Sequence, residues 1–196
     1  MAFSLSIIDC SISSLLIASG FMAEICIEIS LARSAFGNFK IEILKAYTPV
    51  FFDNYRKLLC IFSAFQLIKI LTAESQKNLK IYSLIKNFYT FLEKENWIKS
   101  YIFWELEFFK VIGYDLELKN LVKKELINNE VKYFVKSTKE NKIVPNFLID
   151  NNQDFLNEEI LIDGLRLVGD YLEKSILKPN NINYPLNRLR FLNTFK

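Results

Sequence analysis

Glu105 is the residue whose position first suggests chemistry, because it places a carboxylate inside an apolar helix stripe. Its neighbours at i±3 and i±4 spacing are apolar or aromatic: Tyr101, Ile102, Phe108 and Phe109. A buried carboxylate needs a partner. A catalytic acid would need a second reactive group, and none lies nearby in the sequence, so a structural ion pair in the core is the favoured interpretation. We expect Arg166 to be the partner, which would link the C-terminal helix to the helix of Glu105.

Basic side chains offer a second chemistry, which is electrostatic contact with phosphates or with an acidic peptide tail. After Glu173 the sequence contains no Asp or Glu, so its basic residues there are not balanced locally. The candidates for binding DNA or an acidic tail are Arg56, Lys57, Lys123, Lys124, Lys174, Lys178, Arg188 and Arg190. Contacts of this kind weaken as salt rises. The alternative, that these residues are solvated faces of a lysine-rich protein, stays open.

Aromatic side chains could add base stacking to such contacts. The candidates lie in one stretch of the chain: Trp97, Tyr101, Phe103 and Trp104. At helical spacing, rings are more often part of a core, and that is the role we expect for most of them.

The composition removes many enzyme classes. The chain has 196 residues, a net charge of +3 and no histidine, which excludes Ser-His-Asp and Cys-His nucleophiles and His-containing zinc sites. Five glycines argue against a glycine-rich phosphate loop. Cys10, Cys26 and Cys60 have no C-x-x-C spacing, which fits neither a zinc knuckle nor a disulfide framework. We therefore expect a cytoplasmic protein that is not an enzyme and holds no metal or cofactor.

One apolar segment, residues 12–23, has the length of a signal-peptide core and is too short for a relaxed membrane span. A secretory signal needs a positive charge ahead of that core, but the first basic residue is Arg33. We interpret the segment as a buried part of a soluble protein, and a membrane or export element is the alternative.

The early part of the chain predicts a β-hairpin. Residues 24–31 alternate apolar and polar side chains, and so do residues 39–43, with a Gly37-Asn38 pair between them that suits a turn. Two strands are rarely stable alone, so the hairpin needs further packing partners.

Three helices follow in the prediction, over residues 53–71, 78–93 and 96–112. Asp53 is the expected N-cap of the first, whose buried stripe would contain Tyr55, Leu58, Phe62, Phe65 and Ile68 or Leu71. Gly113 and Tyr114 are expected to end the third helix in a Schellman cap. Short links between these helices favour a small bundle.

The C-terminal part predicts a short hairpin and two helices. Residues 132–135 and 142–145 would pair as strands. Asn157 would cap a helix that Pro179 ends, with a buried face of Ile160, Leu161, Leu165, Val168, Tyr171, Leu172 and Ile176. A final helix would begin at Pro185 and include Leu186, Leu189 and Leu192. The predicted fold class is mainly α with a small β part.

Three stretches occur in an order that is typical of one family. Residues 101–116 are YIFWELEFFKVIGYDL, residues 131–144 are VKYFVKSTKENKIV, and residues 164–173 are GLRLVGDYLE. The first resembles the F/W-E-L-x-L-L-x-x-L-G-Y/F-x-L-x-L segment of the bacterial RecO family of recombination-repair proteins. The second is similar to that family's Y-V-S-P-x-S-G-x-A-V hairpin, and the third to its C-terminal helix with L-R-L-T-G-x-F-L-E. The resemblance covers roughly residues 21–190.

The resemblance implies a cytoplasmic, non-enzymatic mediator of DNA repair. Members of this family have an N-terminal OB-fold, a helical domain and a C-terminal part that holds zinc in many of them. They bind single- and double-stranded DNA, anneal complementary strands and join RecR. They also engage the acidic C-terminal tail of the single-stranded-DNA-binding protein and help to load RecA.

The sequence departs from this family in two places. No cysteine lies in Leu121 to Lys124, where the zinc ligands would fall, so a zinc-less form is expected. Residues 1–46 are too short for a five-stranded barrel, and only residues 23–46 match its last two strands. Residues 1–20 also lack the Lys and Arg that the family would place upstream. The expectation is either an incomplete barrel or a true start that lies upstream.

The predicted organisation has two parts. Residues 1–50 would be the remnant of the OB-fold, with its hairpin at 24–46, and residues 51–196 a helical RecO-like domain that includes a degenerate zinc-finger region at 115–150. Two other functions stay open at this point. One is a degenerate protein-binding remnant without DNA annealing, and the other is a small membrane-associated protein.

Overall fold

The computed structural model describes residues 27–33, 39–73, 78–127, 130–135, 143–150 and 157–195, and gives only the backbone of 27–33, 39–45 and 130. The chain divides into two compact units. The first unit contains Met1–Ile85 and Pro185–Thr194, and the second contains Lys86–Tyr184 and Phe195–Lys196. The C-terminal helix therefore belongs to the first unit, although the residues between Ile85 and Pro185 belong to the second.

Helices dominate the described residues. In chain order, helices α1 to α6 are Tyr55–Leu71, Leu79–Leu92, Trp97–Val111, Leu118–Leu121, Glu158–Tyr171 and Leu186–Asn193. Strands β1 to β5 are Ile27–Arg33, Phe39–Ala46, Val122–Ile127, Glu130–Val135 and Ile143–Val144. The remaining regular pieces are a π-helical stretch, Leu172–Leu177, and the 3-10 turns Thr48–Phe51, Asn146–Leu148 and Lys178–Asn180. The predicted class, mainly α with a small β part, is confirmed.

A two-stranded antiparallel sheet belongs to the first unit. Strands β1 and β2 pair from Ile27 opposite Ala46 to Arg33 opposite Phe39. Within the described residues this confirms the hairpin that alternating side chains predicted over residues 24–46.

Helix α1 begins at a side-chain cap. Asn54 Oδ1 accepts a hydrogen bond of 3.0 Å from Lys57 N, so Asn54 is the N-cap and the predicted cap, Asp53, is wrong by one residue. The buried residues of α1 are Leu59, Cys60, Ile61, Ser63, Ala64, Leu67 and Ile68. Only Ile68 of the predicted stripe is among them, and Tyr55 is exposed. The helix is apolar on most sides, so its periodicity does not single out one face.

Helix α6 packs along α1 within the first unit. Its buried residues are Arg188 and Phe191, whereas Leu186 and Leu189 are exposed. The helix predicted from Pro185 is confirmed, with Pro185 at its N-cap, and it turns an arginine and a phenylalanine inward.

Helix α3 in the second unit ends in the predicted Schellman cap. Gly113 has a φ of +96°, in the left-handed region that glycine tolerates. Gly113 N donates to Lys110 O at 3.1 Å, and Tyr114 N donates to Phe109 O at 2.8 Å. These two hydrogen bonds define the motif and confirm the predicted end of the helix.

A three-stranded antiparallel sheet in the second unit has the order β3-β4-β5. The predicted pairing of β4 with β5 is confirmed, with Tyr133 opposite Val144. Strand β3 was not predicted, and Lys124 on it lies opposite Tyr133. Its sequence, Val-Lys-Lys-Glu-Leu-Ile, leaves four consecutive side chains exposed and has no apolar alternation that would indicate a strand.

Helix α5 packs on α3, which confirms the predicted packing of the segment that begins at Asn157. Asn157 Oδ1 accepts from Glu159 N at 3.3 Å and so caps the helix as predicted. The helices approach closely at Gly164, where a Cβ would lie 2.6 Å from Phe147 Cζ and 3.4 Å from Ile102 Cδ1. A larger residue at this position would displace Phe147.

Among the described residues, no helix is both long enough and apolar enough to cross a membrane. The apolar segment at residues 12–23 lies outside the described residues.

Candidate nucleic-acid interface

Glu105 is fully buried, and Tyr101 Oη donates a hydrogen bond of 2.7 Å to its Oε1. Its burial was predicted correctly, but its partner was not. Arg166 is exposed, and its Nη1 lies 3.4 Å from Asp163 Oδ1 on the same helix. The predicted core pair of Glu105 with Arg166 is therefore wrong, because Arg166 lies on the solvent-facing side of α5.

The rings of the α3 stretch are core residues. Trp104 stacks on Phe108 with centroids 5.6 Å apart and on Tyr101 at 6.0 Å, and all three are buried. Trp97 is also buried, and Phe103 packs edge-on against Phe147 at 6.1 Å. The candidate role of these rings in base stacking is therefore wrong for the buried ones, since a base cannot reach their faces.

Arg188 and Arg190 have opposite environments on α6. Arg188 is fully buried, with 0% of its surface exposed, so its predicted contact with DNA or an acidic tail is wrong. Arg190 is exposed and lies in the last turn of the helix. Two residues along a helix correspond to a rotation of about 200°, which explains why only one of them faces solvent.

Two side chains of α1 bind the ends of α6. Arg56 Nη2 donates to Thr194 O at 3.0 Å, at the C-terminal end of α6. Gln66 Oε1 accepts from Asn187 N at 2.8 Å, at the N-terminal end. Both bonds satisfy backbone groups that a helix end leaves without helical partners, and Arg56 also places positive charge where the helix dipole favours it. The two helices are therefore antiparallel and fixed in register.

This arrangement places Arg190 on a helix that packs antiparallel on α1. Arg190 lies one helical turn, about 6 Å along the axis, before Thr194, which Arg56 contacts. Lys57 follows Arg56, and its Nζ lies 5.8 Å from the centre of the Phe51 ring. We define the α1–α6 basic surface as Arg56, Lys57 and Arg190. It groups three of the predicted candidates that these two packed helices carry.

Exposed apolar side chains adjoin this surface, in the turn that leads into α1. Val50, Phe52 and Tyr55 are 66%, 57% and 67% exposed. The sequence prediction missed them, and it placed Tyr55 in the core. The sequence did indicate their exposure, because Asn54 is a strong N-cap residue and the residues flanking a cap commonly lie at the surface.

Lys123 and Lys124 are exposed on β3 of the second unit. They are consecutive strand residues, so their side chains point to opposite faces of the sheet.

Two side-chain hydrogen bonds join β4 to the segment that follows β5. Tyr133 Oη donates to Asp150 Oδ2, and Asn146 Nδ2 donates to Val131 O, both at 2.7 Å. The hydrogen bond to Asp150, then burial and the charge of that carboxylate, raise the pKa of Tyr133 above its usual value.

Lys174 and Lys178 belong to the helical extension after α5. Lys174 is exposed, while Lys178 Nζ lies 3.0 Å from Glu173 Oε1. A lysine already paired with a carboxylate has less free charge for a phosphate, so Lys178 is the weaker candidate of the two.

Within the described ranges, no group of three or more His, Cys, Asp and Glu side chains lies together in a way that could hold a metal ion. Cys60 is buried in α1. Leu121 ends α4, and Val122 to Lys124 begin β3, at the positions where zinc ligands were considered.

Comparison with known proteins gives a partial similarity to one group. The chain is 30% identical over 132 residues to a protein of Rickettsia canadensis named DNA repair protein RecO, covering 61% of this chain and 55% of that protein. It is 31% identical over 135 residues to proteins of the same name from Rickettsia africae and Rickettsia rickettsii, covering 63% of this chain and 57% of each. The chain therefore matches a little over half the length of these relatives. No family model and no solved structure matches it.

Proposed function

We propose that this chain acts in DNA repair and recombination as a RecO-like mediator in the cytoplasm, by binding rather than by catalysis. The observation that carries the proposal is its similarity to the Rickettsia proteins named DNA repair protein RecO. The α1–α6 basic surface supports it, because two packed helices carry the exposed Arg56 and Arg190 and the half-buried Lys57.

The proposed ligands are single- and double-stranded DNA. Arg56, Lys57 and Arg190 would contact the phosphates first, because phosphate contacts supply most of the affinity of sequence-independent binding. Lys123, Lys124 and Lys174 in the second unit are further contact points. Arg188 is removed from the proposed set by its burial, and Lys178 is weakened by Glu173.

The proposed protein partners follow from the resemblance. They are RecR and the acidic C-terminal tail of the single-stranded-DNA-binding protein, and the activities are strand annealing and RecA loading. No membrane role and no cofactor is part of the proposal. Strands β1 and β2 would be the part of an OB-fold present in residues 1–50, followed by a helical part, residues 51–196, with a zinc-less region at 115–150.

The proposal is tested by titrating fluorescently labelled single-stranded and duplex DNA with the protein at several salt concentrations. We expect binding whose affinity falls as salt rises. The variant Lys57→Gln with Arg190→Gln should weaken binding by about three- to tenfold for each cation removed. Lys69→Gln is the matched control, because Lys69 is exposed on the same helix about 18 Å from Lys57. Absence of DNA binding at low salt would contradict the proposal.

A second candidate function is a protein-binding remnant that has lost DNA annealing. The observation that favours it is the loss of candidate cations: Arg188 is buried and Lys178 is paired. Titration with an acidic tail peptide, in parallel with the DNA, separates the two. Peptide binding without DNA binding would support the remnant.

A further inference from the structure

We infer that Phe52 and Tyr55 form a stacking platform for the unpaired bases of a single-stranded nucleic acid, beside the α1–α6 basic surface. This inference rests on the proposed binding of DNA and specifies the form of the ligand and the residues that recognise it. We use the name aromatic platform for Phe52 and Tyr55 alone.

The first argument is exposure. Phe52 and Tyr55 are 57% and 67% exposed, whereas the rings of Phe88, Tyr101, Trp104 and Phe108 are buried in the second unit. A large ring left in water loses the burial that normally stabilises it. Two such rings lie within four residues of the chain, next to the equally exposed Val50, and a ligand with flat apolar faces would cover them.

The second argument is that the backbone holds these rings in place. Phe52 N donates to Pro49 O at 3.3 Å, and Asn54 N donates to Phe51 O at 3.0 Å. Asn54 then caps α1, so Tyr55 is the first residue of a regular helix. Phe51 is buried and anchors the turn between the two exposed neighbours. The backbone that carries both rings is therefore ordered before a base binds, so it adds no ordering cost on binding.

The third argument is charge. Two cations, Arg56 and Lys57, directly follow Tyr55 in the chain, and an exposed carboxylate, Asp53, lies between the two rings in the sequence. Lys57 is close to the turn because its Nζ lies 5.8 Å from the Phe51 ring centre. Alternating phosphates and bases match a surface that has cations beside rings. A duplex does not match it equally well, because its bases are stacked on each other and present only their edges.

The experiment compares two ligands of equal charge. One is a labelled oligothymidine of about 16 nucleotides, and the other is a chain of the same length made of abasic residues. Fluorescence anisotropy measures the affinity of the full chain for each. Because stacking contributes to the first ligand alone, we expect the oligothymidine to bind at least about fivefold more tightly than the abasic chain.

The test variant is Phe52→Leu with Tyr55→Leu, which keeps apolar bulk and removes both rings. It should bind the abasic chain as the parent does and lose the preference for oligothymidine. Leu186→Ala is the matched control, because Leu186 is an exposed apolar residue of the same unit, 55% exposed, and lacks a ring. Both substituted residues of the test variant are exposed, and a circular dichroism melt verifies that each variant is folded.

The outcomes distinguish failure of the aromatic platform from failure of the proposed DNA binding. Equal affinity of the parent for both ligands would overturn the aromatic platform and leave DNA binding in place. A preference that survives in the Leu variant would also overturn it. Failure to bind either ligand at low salt would overturn the proposed function and the platform with it.

Discussion

The guanidinium of Arg56 and the backbone carbonyl of Thr194 are 138 positions apart in the sequence and joined by a hydrogen bond of 3.0 Å. This bond caps the end of α6 with a charged group of α1. It also helps to fix the antiparallel packing of the two helices that carry the α1–α6 basic surface. One residue therefore has a structural role and a proposed binding role.

Arg56→Ala is expected to lower the free energy of unfolding by about 0.5–1 kcal/mol, since a helix C-terminus loses a favourable cation and hydrogen bond. Urea unfolding followed by circular dichroism measures the change. Lys69→Ala on the same helix should change the stability by less than about 0.5 kcal/mol. Equal stability of both variants would show that the contact with Thr194 contributes nothing.

Arg188→Gln and Arg190→Gln are expected to have opposite effects although they are two residues apart. The first removes a fully buried side chain and should cost about 2 kcal/mol or more of unfolding free energy. The second changes an exposed side chain, so stability should stay within about 0.5 kcal/mol while affinity for single-stranded DNA falls. Urea unfolding and anisotropy titration are measured on both variants. A reversal of this pattern would contradict the orientation of α6.

Gly164→Ala is expected to destabilise the protein by about 1–2 kcal/mol. The new Cβ would lie 2.6 Å from Phe147 Cζ, and the clash outweighs the better helix propensity of alanine. Thermal unfolding monitors the change. Combining Gly164→Ala with Phe147→Leu should recover part of the lost stability. If the two single changes in unfolding free energy simply add in the combined variant, the contact is contradicted.

Tyr101→Phe is expected to cost about 1.5–3 kcal/mol, because it removes a hydrogen bond to the buried carboxylate of Glu105. Tyr101→Phe should lower the free energy of unfolding by less in a Glu105→Gln background. A double-mutant cycle of Tyr101→Phe and Glu105→Gln, measured by urea unfolding, gives the coupling between the two side chains. A coupling of zero would rule out the interaction.

Tyr133 makes stability depend on pH in the alkaline range. Its pKa is raised above 10.0 in the folded protein, first by its hydrogen bond to Asp150. The folded state therefore retains this proton more strongly than the unfolded chain does. The resulting stabilisation is complete below the unfolded pKa and is lost as pH rises through the folded one. Urea unfolding of Tyr133→Phe should lack this alkaline decline, and the same decline in both proteins would exclude Tyr133 as its source.

Local signals in the sequence were sufficient for the ends of several elements. Asn157 and Gly113 acted as the expected cap and stop, because capping depends on a few neighbouring backbone groups. The faces of α1 and α6 were not predictable in this way. On α6 the packing partner selected Arg188 and Phe191 as the buried residues, while Leu186 and Leu189 are exposed. Burial of an arginine depends on tertiary surroundings that periodicity does not contain.

The candidate site was also predictable only in part from the sequence. Lys57 and Arg190 could be named from charge alone, but the pairing of the two helices that carry them depends on tertiary packing. Tyr55 was assigned to the core because aromatic residues on a helix usually pack inside. Strand β3 was missed because pairing with β4, rather than its own side chains, keeps it extended.

The return of α6 to α1 also sets an order of events during synthesis. Residues Lys86–Tyr184 are contiguous and can close their contacts as soon as they have left the ribosome. The inner face of α1 emerges earlier but must wait for Pro185–Thr194 before it is covered. Residues Met1–Ile85 are therefore translated before the second unit but completed after it, and the apolar inner face of α1 stays uncovered in the interval.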